Sequence, residues 1–398
     1  MNRWKGFAAI LLGLVVLVSG CQQEKPESLY NPNYVYNPDP VITAIEPADS
    51  ALAGIVTIKI IGQNFSPIKE NNFVHFGKTK AVVLEASPNQ LIVQSPNFVA
   101  DSTTVKVSVL GAISFSNLMR YRLVRGVGEF GGFGDFDEPY MVECDKDENL
   151  YVALGSRKIV KITPAEVKTD YGTTTFSLFT GMEFGPDGML YVARNTRYLY
   201  RVPAGGGAAA QWVRVKDAVY ALDFAPGGFL FVGGKGDSLY KVTIQGDGTS
   251  KGIIPYPDTY IKAIRIFNGY VYVGGKINAT NQQAIWRNQI LSENELGPTE
   301  LFFDWTTHIS STFEILSITF AADGDMYVGT DAPEAVVVIH PDGTFAPLYP
   351  GVLEPTSYSL TWGSKQFLYV ARRSDDAKKR RVIKINMLKE GAPYYGRP

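Results

Sequence analysis

The chain has 398 residues, with 38 Lys and Arg against 39 Asp and Glu, a formal charge of −1. That balance excludes a nucleic-acid binder of the usual basic kind, and an apolar content of 45% excludes a disordered chain. The 39 Gly, 23 Pro, 22 Tyr and 22 Phe point to short strands and tight turns, against an all-α or doubly wound nucleotide-binding fold.

Residues 1–20 read as a secretory leader. Arg3 and Lys5 give the positive start, and Phe7 to Val18 is an apolar run broken only by Gly13. At about 1.5 Å per residue the run is too short to span a ~30 Å hydrocarbon core permanently. Val18-Ser19-Gly20-Cys21 resembles a bacterial lipobox. The resemblance implies cleavage before Cys21, lipid on its thiol and new amino group, and a membrane as partner. Cys144 is then left without a partner, in the apolar run Tyr140–Cys144, and is expected to be a buried, inert thiol. Residues 21–39 are rich in Pro, Asn and Tyr and read as a tether.

Residues 40–124 show about six or seven short alternating strands, the size and rhythm of a small sandwich. Ile45-Glu46-Pro47, Gly62-x-Asn64-Phe65, Val74-x-Phe76-Gly77 and Leu91-x-Val93-x-x-Pro96 resemble the IPT/TIG immunoglobulin-like family. The resemblance implies a spacer or binding module. His75 is read as a surface or edge residue.

Residues 125–398 carry a phrase that recurs six times, an apolar strand, a turn and an aromatic-Val strand. Its anchors are Tyr151, Tyr191, Phe231, Tyr272, Tyr327 and Tyr369, spaced 40, 40, 41, 55 and 42 residues apart. A four-stranded propeller blade takes about 40–45 residues, so the fold class is all-β, an Ig-like sandwich followed by a six-bladed propeller. The long spacing is assigned to an insertion around Asn288–Gly297. Ring closure is left open between a strand near Tyr121–Val127 and the C-terminal Ala392–Tyr395. The repeat resembles NHL-type propellers.

In such blades the loops after the aromatic-Val strands share one rim, the ligand face by analogy with the fold. They carry Arg157, Arg194, Arg197, Lys235, Lys276, Asn278, Arg372 and Arg373, candidates for holding an anionic group. Asp237, Asp331 and Asp375 share these loops. Arg194 and Arg372 occupy matching places, three residues after their anchors. His75, His308 and His340 have no zinc-site spacing, and no nucleophile elbow or phosphate loop occurs. No catalytic residue, metal or cofactor is expected. Gluconolactonase-type propellers are similar in architecture, and Glu138 is the one ligand of their divalent metal that this sequence offers. Asp147-Glu148-Asn149 and Asp323-Gly324-Asp325 are read as turns. Trp212, Trp286, Trp305 and Trp362 are read as core before sugar platforms.

The sequence is therefore read as a lipid-anchored lipoprotein of a Gram-negative envelope, in the outer membrane. Its module pair resembles accessory proteins of surface nutrient uptake in Bacteroidota, which implies a glycan ligand and an uptake complex as partner. The alternatives are a metal-dependent propeller hydrolase or lyase, and a protein-interaction scaffold.

Overall fold

The computed structural model describes residues 34–245 and 248–397. The leader, Cys21 and the tether up to residue 33 lie outside the described residues. No described helix is long and apolar enough to cross a membrane.

The first unit is a sandwich of two sheets. One holds β1 (Val41–Glu46), β3 (Thr57–Gln63), β7 (Gln90–Gln94) and β6 (Val83–Ser87), in the order β1-β3-β7-β6. The other holds β2 (Ser50–Leu52), β9 (Met119–Val124), β8 (Ala100–Val109), β4 (Asn72–Phe76) and β5 (Thr79–Ala81), in the order β2-β9-β8-β4-β5. Alternation does the sorting: Ile58, Ile60, Val74, Phe76, Leu91, Val93, Val105 and Val107 face one core and are fully buried. His75 points to the other face, half-buried beside the Phe115 ring.

The second unit is a ring of six antiparallel blades. Their inner strands are Pro139–Cys144, Gly181–Phe184, the ends of Ala210–Phe224 and Thr249–Phe267, Ile315–Phe320 and Ser357–Trp362. Blades two to four are not separate sheets. There the outer strand of one blade runs unbroken into the inner strand of the next, through Ala210–Phe224 and Thr249–Phe267. Leu230–Thr243 pairs by its first half with the inner strand and by its second half with the outer one.

Each anchor aromatic is buried, and four of them lie against the last inner-strand residue of the next blade. Tyr151 meets Phe184 at 4.8 Å, Tyr191 meets Phe224 at 5.1 Å, Tyr272 meets Phe320 at 4.8 Å and Tyr327 meets Trp362 at 5.2 Å. Phe231 shares its cluster with Ile266. Small residues follow the anchors because the next inner strand passes there: a Cβ on Gly233 would stand 2.8 Å from Ile261, and one on Gly274 equally close to Ile315.

The sixth interface closes the ring. β10 (Val127–Glu129) pairs with Arg381–Asn386 as the outer strand of blade six. The closing strand thus comes from the N-terminal side. Ala392–Tyr395 contributes no blade strand, though the tail is tied to blade five by a Gly391–Ala321 bridge and by the Ala392 amide donating to the Phe320 carbonyl. Phe130, following β10, lies 5.3 Å from Tyr369, and their cluster contains Cys144. Cys144 stands where four of the other blades carry Phe or Trp and one carries Ile266, and burial pushes its thiol well up. The extra length of blade four divides between two features. One is the hairpin of Gln283–Ser292 with Glu295–Leu296, and the other is a helical turn at Trp305–His308.

Tyr191→Ala or Tyr272→Ala should each cost about 3–5 kcal/mol, as for aromatic deletion from a packed core. Chemical unfolding checks this, and a shift no larger than that of an exposed substitution would refute the blade register.

Candidate functional site

The axis of the propeller is open at one end and closed at the other. Opposite each anchor, the inner strand places one residue on the channel wall. The six pairs are Glu143↔Tyr151, Glu183↔Tyr191, Asp223↔Phe231, Arg265↔Tyr272, Thr319↔Tyr327 and Thr361↔Tyr369. The floor ring therefore holds three carboxyls and one guanidinium.

The C-terminal tail fills this end. Arg265 pairs with Asp223 at 3.0 Å and donates to the Pro393 carbonyl at 2.9 Å. Arg397 reaches Glu143 at 3.3 Å and the Trp362 carbonyl at 2.6 Å. The Tyr394 ring lies between the two guanidiniums, 3.4 Å from Arg265 and 4.2 Å from Arg397. Its hydroxyl pairs with Thr319 at 2.7 Å. Gly396 packs on the Phe184 carbonyl and the Phe224 ring, where a Cβ would clash. The tail thereby touches all six blades.

Above the floor, a cavity of about 420 Å³, open mouth included, is lined by Thr180, Met182, Glu183, Lys262, Ser317 and Ser359 among others. The buried hydroxyls of Thr180 and Ser317 have no partner. Burial holds the Glu183 carboxyl well above the usual carboxylate range, and Glu143 and Asp223 add like-charge repulsion. Burial also raises Glu143 and Asp223, partly offset by Arg397 and Arg265.

The mouth is aromatic. Tyr140, at the start of the first inner strand, lies 6.0 Å from Tyr358 of the sixth and 6.2 Å from Phe179 of the second. The Tyr358 and Tyr220 hydroxyls pair at 3.1 Å, and Tyr220 lies edge-on to Tyr260 at 5.3 Å. Cations sit on these rings. Arg373 lies 3.9 Å from Tyr140 and 5.1 Å from Tyr358, while Lys235 and Lys262 lie over Tyr260.

The predicted rim residues divide. Arg373, Lys235 and Arg194, the last stacked on Phe176 at 4.8 Å, touch the aromatic chain. Lys276 reaches the mouth through Glu314, which also pairs with Lys262. Arg157 is exposed in a turn, Arg197 is exposed near the start of the strand Thr196–Val202, and Asn278 bonds Asp258. Arg372 turns to Glu354 and the Lys379 carbonyl. Glu138 is ion-paired with Arg373 at 2.9 Å and lies 3.9 Å from Arg380, so its carboxylate is already committed and does not fit a metal ligand. No cluster of three or more metal-ligating side chains occurs among the described residues.

The tyrosines were missed in the sequence although a signal exists. Tyr140, Tyr220 and Tyr358 each stand eleven residues before their anchors. The tryptophans lie elsewhere, with Trp305 and Trp362 fully buried. The two acidic turns are turns, and their carboxylates also hold other parts of the ring. Glu148 is buried and accepts from Ser364, the Lys365 amide and Tyr369 across the ring-closing interface. Asp323 and Asp325 hold Lys389, the root of the tail, and Asp325 also holds His340.

Residues 40–121 match the profile of the IPT/TIG domain. No curated protein has a detectably similar sequence. Among solved structures, an auxiliary nutrient binding protein from Bacteroides thetaiotaomicron is similar at 14% identity, over 89% of this chain and 98% of its own, with a TM-score of 0.51. A putative phosphatase from Bacteroides thetaiotaomicron is similar at 13% identity, over 87% and 97%, with a TM-score of 0.57. A luciferin-regenerating enzyme is similar at 13% identity, over 68% and 98%, with a TM-score of 0.52. At these identities the likeness is one of fold. The chain is an all-β protein with an IPT/TIG sandwich and a six-bladed propeller.

The raised carboxyls fix a pH dependence. Above the ordinary carboxylate range the native state binds more protons than the unfolded chain, so stability falls as pH rises. Glu183→Gln removes that ionisation. Its melting temperature should exceed the parent's by about 2–4 °C at neutral pH for each ~1 kcal/mol regained, and converge with it near pH 4. Equal shifts at both pH values would refute this account of Glu183.

Proposed function

We propose that the protein is a lipid-anchored accessory of nutrient uptake in a bacterial outer membrane, binding a glycan at the mouth of its propeller. The observation that carries this reading is the row of Tyr140, Tyr358, Tyr220 and Tyr260 across the open end of a channel whose other end is plugged. A tyrosine offers a flat apolar face and a polar tip, which matches a sugar's apolar ring face and its hydroxyls. The unpartnered Thr180 and Ser317 hydroxyls offer further hydrogen bonds inside the cavity.

Arg373, Lys235 and Lys262, with Arg194 and Lys276 at the margin, favour acidic sugars. Arg157, Arg197, Asn278 and Arg372 belong to the outer rim of the same proposal. The nutrient-binding role is further supported by the similarity in fold to an auxiliary nutrient binding protein from Bacteroides thetaiotaomicron, matched over 98% of its length. The lipobox-like Val18–Cys21 supports the anchor and the envelope location. A second reading, a propeller hydrolase or lyase, is favoured by one observation: the Glu183 carboxyl, raised by burial and without a hydrogen-bond partner among the described residues, faces the channel. Turnover of a bound ligand that stops in Glu183→Gln while binding persists would establish it.

A glycan array probed with the mature chain tests the first reading. Tyr220→Ala with Tyr260→Ala should weaken the best ligand at least about tenfold. Arg373→Ala should weaken acidic glycans alone, with a smaller salt dependence than the parent. Binding unaffected by any of these changes would refute the mouth as the site.

A further inference from the structure

The sandwich carries an exposed apolar tip that the propeller does not use. The tip is formed by the loop 110–118 between β8 and β9, the connection 64–71 before β4, and the incoming segment 34–41. These pieces are joined: Asn37 bonds Gly111 and Leu110, and the Leu110 amide donates to the Asn71 carbonyl. On them sit Val35, 87% exposed, Ile113, 72%, Leu110, 60%, and Ile68, 55%, with Tyr36 and Phe115. Isolated exposed apolar residues need no explanation, but a contiguous group marks a contact surface.

We infer that this tip rests on a lipid bilayer, at the depth of the headgroup and upper acyl region. The inference rests on the lipid anchor at Cys21. Three observations choose lipid as the occupant. First, the chain enters the sandwich at this tip, only fourteen residues after Cys21. That length spans at most about 50 Å when extended, so the anchor holds the tip close to the surface that carries it.

Second, the tip lies away from the propeller. β8 runs from Ala100, paired with Leu123 where the chain leaves for the propeller, to Val109 at the tip. Its ten residues cover about 30 Å. A tip lying on the bilayer therefore leaves the propeller standing clear of it.

Third, the backbone of the tip is already satisfied. Asp39 accepts from the Ile113 and Ser114 amides, and Asn37 takes the Leu110 carbonyl. Entering a headgroup layer then desolvates side chains without orphaning these amides. The nearby charges are few and mostly paired: Asp39 is held by the Ile113 and Ser114 amides, Lys69 lies 3.9 Å from Glu70, and Lys106 sits over the Phe115 ring. The contact is therefore apolar rather than electrostatic, with aromatic and aliphatic side chains as at membrane interfaces.

The test uses the mature full chain in phosphatidylcholine vesicles. Ile113→Cys carries an environment-sensitive dye, with a dye at Glu334→Cys on the propeller as control. Cys144 is fully buried and does not compete for label. A quencher on the lipid acyl chain should quench the dye at 113 at least about fivefold more than at 334. Quenching should be the same at ~0.1 M and ~1 M salt. Leu110→Ser with Phe115→Ser should abolish most of it, with lipidation and melting unchanged. A dye at 113 that stays in water while Cys21 carries acyl chains overturns this inference alone and leaves the tip to a protein partner. A chain that mass spectrometry shows unlipidated overturns the anchor and this inference with it.

Discussion

Around the ring, an aromatic side chain on one blade lies against the last inner-strand residue of the next. The rest of the molecule depends on that contact. A four-stranded blade has two apolar faces and cannot bury either alone. The anchor ring fills the gap between blades at the place where the inner strands come close. Because the same environment recurs, the same residue types recur. The phrase of aromatic, Val and small residue is therefore written into the sequence at blade spacing. The small residue is as necessary as the ring, since a side chain at Gly233 or Gly274 would meet the neighbouring inner strand. Where the ring closes, the arrangement is inverted. Phe130 arrives from the N-terminal strand to pack on Tyr369, and the partner position shrinks to Cys144.

The same geometry creates a problem on the axis. Inner-strand residues opposite the anchors converge, and three of them are carboxyls. Buried carboxyls are costly unless neutralised or protonated. Two guanidiniums answer this, one from the wall and one from the tail: Arg265 and Arg397, with the Tyr394 ring between them. Glu183 has no such partner and keeps its proton more tightly. The tail is thus a seventh element of the ring, held at its root by Lys389 on Asp323 and Asp325. A channel plugged in this way has one usable end.

Legibility in the sequence followed repetition. The six anchors, the strand content and the sandwich could be read because each rests on periodic burial. The closing strand could not be chosen, because β10 is three residues long and its pairing partner lies over 250 residues away. The tail was invisible for a related reason: Tyr394 and Arg397 act once, and nothing in the chain repeats them. At the mouth, loop position alone selected eight polar residues. Position along a loop does not say which way a side chain turns. Arg372 and Arg373 are neighbours, yet one faces Glu354 and the other stacks on Tyr140. The tyrosines at the mouth lie within or at the start of apolar strands, Tyr220 and Tyr260 inside long ones, where an aromatic residue looks like core.

Plug, mouth and tip together impose a polarity on the molecule. The floor of the channel is charged and crossed by the tail, which leaves the tyrosine side as its open end. That side holds rings and cations but few free carboxylates, because Glu138 and Glu314 are each bound to basic side chains. The sandwich adds a second polarity. It joins the propeller at one end of β9 and shows apolar side chains at the other, the end where the tether enters. An IPT/TIG module used this way is more than a passive spacer. Its strand length sets how far the propeller stands from the apolar end of the sandwich, and its two ends differ in chemistry.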